Sequence, residues 1–309
     1  MKNYYRVILG KGGKYADQCF TGGFVGLYSN LQQDLGNDDS ADLREFRLKW
    51  VPRLIKSDTK LTKAGAGIAC GYLYSIAKGM AIGDIVISPD GKGSYIVGEV
   101  IGDYCFISDE LLNHRRTISW HSDRIERTSM SEALKRLTGV PHTVVQITKM
   151  ADEIEKLLSS PLSQSCDQND EQVEDPVSFM MESHLEDFLV QNWARTELGQ
   201  RYDIYEMDGE LVGQQFPTDT GPMDILAVSK DKTELLVVEL KRGRASDRVV
   251  GQILRYMGFV KAELAEKNQI VKGAIIALDD DLRIRRSIEA AQVIELYRYE
   301  VSFNLHKVC

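Results

Sequence analysis

The chain has 309 residues, of which 43% are hydrophobic and 27% charged. That composition suits two globular domains and excludes a fibrous or wholly disordered chain. The net charge of −8 is unevenly spread: residues 1–150 carry 20 basic and 16 acidic side chains, the remainder 18 basic and 30 acidic, so an acidic total leaves room for a nucleic-acid partner met by a local basic surface.

Tyr4–Leu9 reads as an opening strand ended by Gly10. Lys11-Gly12-Gly13-Lys14-Tyr15 is glycine-rich but lacks the Gly-Lys-Ser/Thr ending of a nucleotide loop, which argues against an ATPase; it is a phosphate-contacting loop or a plain turn. Helices are predicted over Asp42–Trp50, Lys63–Met80 and Met130–Leu137. Gly83–Ile87 and Tyr95–Ile101 form two strands around a Pro89–Gly93 turn, Thr117–Trp120 adds another, and Val144–Thr148 is the last. Short strands with few helices predict a small, partly closed α+β barrel over residues 1–150. Residues 151–176 read as an acidic Ser/Pro-containing linker, with a brief helix over Met150–Leu158 and eight acids against Lys156. The five cysteines are far apart and form no Cys-x-x-Cys pair, which excludes a disulfide scaffold and a cysteine zinc site. No apolar run approaches the ~20 residues that span a bilayer, and no apolar signal core follows Met1–Arg6. A cytoplasmic protein without membrane contact is expected.

Residues 177–309 alternate helix and strand. Phe179–Trp193 is amphipathic. Met223–Val228 and Leu235–Lys241 are strands joined by a turn at Lys230–Lys232. Ser246–Leu264 is a helix, Val271–Leu278 a strand, Leu282–Ala291 a helix, and Val293–Tyr297 and Tyr299–Leu305 are strands. This order predicts an α/β fold with a mixed sheet under helical cover. Asp224 opens one strand and Glu239 lies near the end of the next. Glu239 and Lys241 are two apart and share a face. The turn can bring Asp224 beside Glu239, and two carboxylates so placed repel unless something neutralises them. Mg²⁺ does so, and on a phosphodiester it polarises an oxygen and acidifies an attacking water. Lys241 can orient that water or offset phosphoryl charge. The plainer reading is a turn aspartate and two strand-edge charges, although Val237-Val238 marks a buried strand in which a charge needs a reason. Arg248, Gln252 and Tyr256 recur every four residues and share a helix face, with Val249, Val250, Ile253, Leu254, Met257 and Val260 as the packing set.

Gly221-Pro222-Met223-Asp224-Ile225-Leu226 followed by Val237-Val238-Glu239-Leu240-Lys241 resembles the PD-(D/E)xK nuclease signature, most closely that of NucS-like endonucleases and the related Mrr-type restriction nucleases. The resemblance covers residues 177–309 and implies a restriction-endonuclease-like fold. It gives Asp224 and Glu239 to a divalent metal, Lys241 to catalysis, and Gln252 and Tyr256 to the Gln-x-x-x-Tyr of the following helix. The proline stands two residues before Asp224 rather than next to it. Glu182–Leu189 is similar to the first helix of that core, and Glu186, ahead of Glu182, is the further carboxylate expected to face the metal. Tyr256 donates to a phosphate or serves as a structural hydroxyl. Arg242, Arg244 and Arg248 lie near this site and suit DNA phosphates.

In the first domain, Gly83–Ile87, Gly98–Val100, Gly102–Tyr104 and His114–Trp120 resemble the N-terminal PUA-like and EVE-like domains of restriction-type proteins. That likeness implies a DNA-recognition domain, and some barrels of this kind accept a flipped, modified base. Arg115, Arg116 and Trp120 are the expected DNA contacts, and Tyr28 and Tyr104 are further pocket candidates beside Trp120. The expected function is a Mg²⁺-dependent DNA endonuclease in restriction or defence, with Mn²⁺ able to substitute. The alternatives are a NucS-like repair endonuclease on mismatched or branched DNA, and a non-catalytic nucleic-acid sensor. Double-strand cutting with one site per chain would favour a homodimer, and a separately encoded accessory subunit is a further possible partner.

Overall fold

The structure is a computed structural model that describes residues 2–108, 110–159, 185–207 and 209–300. Residues 160–176 of the expected linker, Glu182, and residues 301–305 of the last expected strand lie outside the described residues. The chain divides into two compact units, Met1–Asn169 and Asp170–Cys309. No described helix is long and apolar enough to cross a membrane.

The first unit is built on a six-stranded sheet. Its strands are β1 (Tyr4–Val7), β2 (Phe24–Leu27), β3 (Ile85–Pro89), β4 (Ser94–Phe106), β5 (His114–Glu126) and β6 (Val144–Gln146), in the order β2-β5-β4-β3-β1-β6. The order is open, with β2 and β6 at its two ends, and gives no closed ring among the described residues. β1 runs parallel to β3 and every other pairing in this sheet is antiparallel. Its helices are α1 (Ala16–Gly22), α2 (Leu43–Ser57), α3 (Lys63–Tyr74), α4 (Glu132–Gly139) and α5 (Ala151–Ser159). The Asp42 side chain caps α2 by accepting from Glu45 N, and Glu45 reaches back to Ala41 N. This helix runs seven residues past its expected end at Trp50, with Pro52 inside it. Burial of Trp50, Val51 and Leu54 holds the last turns against the proline's missing donor. α5 is no spacer: Ile154 is fully buried with Tyr4, Ile87, Tyr95 and Leu134, so the first unit continues past residue 150.

A buried polar chain sits beside β5. Tyr104 OH lies 2.7 Å from His114 Nδ1, and His114 Nε2 lies 3.1 Å from Leu31 O. The arrangement fits a neutral ring that accepts at Nδ1 and donates at Nε2. Burial pushes the imidazole from its ordinary 6.5 down to about 4, against smaller upward pulls from Leu31 O and Asp34. A proton that the unfolded chain accepts and the folded chain refuses makes stability fall as pH is lowered. The contribution is complete above about pH 6.5 and is lost as pH falls toward 4, by at most about 3 kcal/mol. Urea melts of the first unit should therefore weaken between pH 7 and 4.5, and His114→Gln should flatten that slope. An unchanged slope would assign the acid sensitivity elsewhere.

The second unit holds α6 (185–191), α7 (Glu197–Arg201), β7 (Tyr202–Ile204), β8 (Gln214–Phe216), β9 (Met223–Ser229), β10 (Glu234–Arg244), α8 (Asp247–Phe259), β11 (Ile270–Asp279), α9 (Leu282–Ala291) and β12 (Ile294–Arg298). The sheet order is β12-β11-β10-β9-β7, with β8 also paired to β9. β10, β11 and β12 are parallel, while β9 runs antiparallel to β10, β7 and β8. One face packs Leu236, Val238 and Leu240 with Ile225, Ala227, Trp193, Leu198, Tyr202 and Ile276. The other carries Val237, Glu239 and Lys241. Gly273 sits opposite Val237, and a Cβ there would meet Met257 at 2.8 Å and Ile253 at 3.0 Å, so α8 presses on that face. The fold is α/β with a mixed sheet and helical cover. Leu254 departs from the expected packing set: it is 43% exposed, and Tyr256 is buried instead.

Candidate active site

The β9–β10 register pairs Val238 with Ile225, which places Glu239 across from Asp224. Asp224 Oδ2 accepts from Leu240 N at 2.7 Å, fixing the first carboxylate to the second strand. Glu239 is only 2% exposed, and its Oε1 lies 2.9 Å from Lys241 Nζ. Burying this carboxylate costs several kcal/mol that the adjacent ammonium offsets only while both are present. The strand period delivers the pair to one face, and the Lys241 side chain keeps 32% of its surface toward solvent.

Glu186 enters from α6 and is 1% exposed. Gln214 Nε2 donates to its Oε1 at 2.9 Å, and Gln215 Nε2 donates to its Oε2 at 2.7 Å. The Gln215 amide also reaches Asp224 Oδ1 at 3.3 Å. The Gln215 amide thus links Glu186 to Asp224. Gln214 and Gln215 were not marked by any motif. The only sequence signal was two adjacent amides before Phe216 in a short strand.

On α8, Gln252 Nε2 lies 3.4 Å from Tyr256 OH, which donates to Pro222 O at 3.0 Å. Burial pushes the Tyr256 phenol up, Gln252 pulls it back, and Glu239 and Asp224 raise it further. The hydroxyl stays a donor and braces the turn that leads into Asp224. That turn places Gly221 at φ +118°, a conformation L side chains rarely adopt. Arg248 and Arg244 are exposed, with Arg244 Nε 3.3 Å from Asp280 O. Arg242 lies in β10, and its side chain is outside the description.

In the first unit the expected DNA contacts scatter. Arg116 is 6% exposed and donates to Ile76 O, Ala77 O and Gly102 O, so its guanidinium serves the interior. The Arg115 guanidinium lies over Phe24, and Arg115 bonds Leu112 O and Glu110. Trp120 donates to Cys19 O and meets Phe20 edge-on at 4.9 Å. Tyr104 is engaged with His114, while Tyr28 is 55% exposed and bonds Asn30.

Among the described residues, no group of three or more His, Cys, Asp or Glu side chains is gathered tightly enough to hold a metal. Asp224 and Glu239 nonetheless form a pair of hard oxygen donors at a half-open lysine. Two carboxylates and several waters are a common Mg²⁺ environment, so the donor chemistry fits such a cation.

Residues 181–300 match the family described as the endonuclease NucS C-terminal domain. Residues 5–148 match a domain of unknown function, DUF8426. No protein of curated function matches the chain. Among solved structures, a repair endonuclease from Pyrococcus abyssi is similar at 16% identity and TM-score 0.32, over 69% of this chain and 66% of its own. The EndoMS–dsDNA complex is similar at 12% identity and TM-score 0.32, and apo EndoMS at 13% and 0.30. Both matches span 68% of this chain and 62% of the other.

Proposed function

We propose that the chain is a metal-dependent DNA endonuclease of the NucS type, acting on mismatched or branched DNA. The observation that carries this reading is the Asp224, Glu239 and Lys241 constellation on one sheet face, within the segment that matches the NucS C-terminal domain. The restriction reading leaned on base recognition by the first unit, and the buried Arg116 and the packed Trp120 take away much of its motive.

A bound Mg²⁺ or Mn²⁺, held by Asp224 and Glu239 with Glu186 close by, would polarise a phosphate oxygen and acidify water. The protein's own groups prepare the rest. Leu240 N–H orients Asp224, and Lys241 presents an ammonium that can donate to a phosphate oxygen or hold the attacking water. Gln252 and Tyr256 brace the strand entry. Arg244 and Arg248 offer exposed guanidinium groups to the DNA backbone.

The test is cleavage of mismatched, branched, perfectly paired, methylated and unmethylated duplexes by full-length protein in Mg²⁺, Mn²⁺ or EDTA. Cutting should vanish in EDTA and favour mismatched or branched substrates by about tenfold or more over perfect duplex. Preference for methylated plasmid would return the restriction reading. Tight DNA binding with no cutting under any condition would leave a sensor.

A further inference from the structure

The sequence motifs pass over Gln215, yet the site converges on it. Strand neighbours normally point to opposite faces. Gln214 and Gln215 are adjacent in β8, but both amides reach the same carboxylate, one on each oxygen of Glu186. The reason is backbone geometry: Gln215 has φ +49°, in the left-handed region that a glutamine rarely occupies. Strain of this kind persists where surrounding structure imposes it, and it gathers at functional sites.

We propose that Gln215 is a positioning residue whose amide latches Glu186 of α6 onto Asp224 of β9. Its functional consequence rests on the nuclease reading above; the latch itself does not. The amide nitrogen carries two hydrogens and uses them on two anions, Glu186 Oε2 at 2.7 Å and Asp224 Oδ1 at 3.3 Å. An arginine or lysine there would also join the carboxylates but would cancel their charge. A neutral amide holds them together and adds no positive charge. The negative potential is thereby kept for a divalent cation, and α6 is fixed to the strand that carries the first acid.

The experiment uses full-length, metal-free protein and amide hydrogen exchange. Gln215→Gly suits the left-handed backbone and removes the whole side chain, the bridging amide included. It should speed exchange in 189–192 by about tenfold or more, the scale of lost hydrogen bonds to a charged group, while β9 and β10 stay protected. Gln215→Glu should loosen α6 as well, because it sets a third carboxylate against two. Gln215→Arg, whose guanidinium can donate to both carboxylates, should restore protection of α6 while weakening Mn²⁺ binding. In Mn²⁺ titrations by calorimetry, Gln215→Gly should bind about fivefold more weakly. In cleavage assays its kcat should fall while KM for DNA holds, since the amide bonds the two carboxylates. Unchanged exchange in Gln215→Gly, or no recovery of protection in Gln215→Arg, would overturn the latch. A loosened and restored α6 in a protein that cuts no DNA would keep the latch and remove the nuclease reading.

Discussion

Replacing Asp224 by Asn should lower metal-dependent DNA cleavage by about 10³-fold or more, with little change in folding. The substitution keeps an oxygen that can still accept from Leu240 N, now 2.7 Å from Asp224 Oδ2, and removes the charge. It therefore separates ligand chemistry from strand pairing. Asp224→Ala is a blunter variant, since it also strips the Leu240 N–H of that acceptor at a cost of about 1–3 kcal/mol. Lys241 calls for the same care. Its ammonium is the ion-pair partner of Glu239, which is almost wholly buried. Lys241→Met should abolish cleavage and also destabilise the second unit by about 3 kcal/mol, because the carboxylate would keep its desolvation without its cation. Cleavage normalised to the folded fraction measured by circular dichroism separates the two effects. Asp224→Asn that kept more than a tenth of wild-type cutting would remove this residue from the chemistry.

The second large effect concerns Arg116, and it falls on stability rather than on DNA. Its Nε and Nη2 each lie 3.0 Å from a carbonyl, those of Ile76 and Ala77, and Nη1 lies 3.4 Å from Gly102 O. Ile76 and Ala77 belong to the π-helical turn Ser75–Gly79 that ends α3, where backbone carbonyls lack helical partners and a cation is favoured. Burial pulls this guanidinium's pKa down, with Asp103 and Asp84 opposing. Arg116→Met should cost about 3–5 kcal/mol, a large share of a domain's total stability. Arg115→Ala should cost about 1 kcal/mol, since the Arg115 side chain is partly exposed and bonds Glu110 at the surface. Urea melts read by tryptophan fluorescence check both. Arg116→Met with wild-type stability and lost DNA affinity would reverse the assignment.

The candidate acids were legible because two simple periodicities coincide. Strand alternation puts Glu239 and Lys241 on one face, and an antiparallel turn returns Asp224 to the same level. Arg116 was legible too, by the same rule. It shares the strand face of His114 and Ile118, both fully buried or nearly so, so the apolar phase of β5 already pointed it inward. The guanidinium-rich run His114-Arg115-Arg116 drew the reading to charge instead of phase. The end of α2 was missed for a different reason: Pro52 lies inside the helix, where the tertiary burial of Leu54 outweighs local propensity. Gln215 was beyond reach: no residue type announces a left-handed backbone except glycine, with asparagine and aspartate behind it. Leu254 was expected to pack and is 43% exposed instead, because helix spacing sets a residue's angle but not how far the neighbouring surface reaches over it.

β10 lies third in the order β12-β11-β10-β9-β7, hydrogen-bonded on both sides, and carries both Glu239 and Lys241. A strand so enclosed opens only with the cooperative unit around it. On heating, cutting should then persist up to the melting transition of the second unit and stop there, with no earlier zone of folded but inert protein. Thermal inactivation would report the unfolding of that domain directly, which makes residual cleavage after a heat pulse a simple assay of its lifetime.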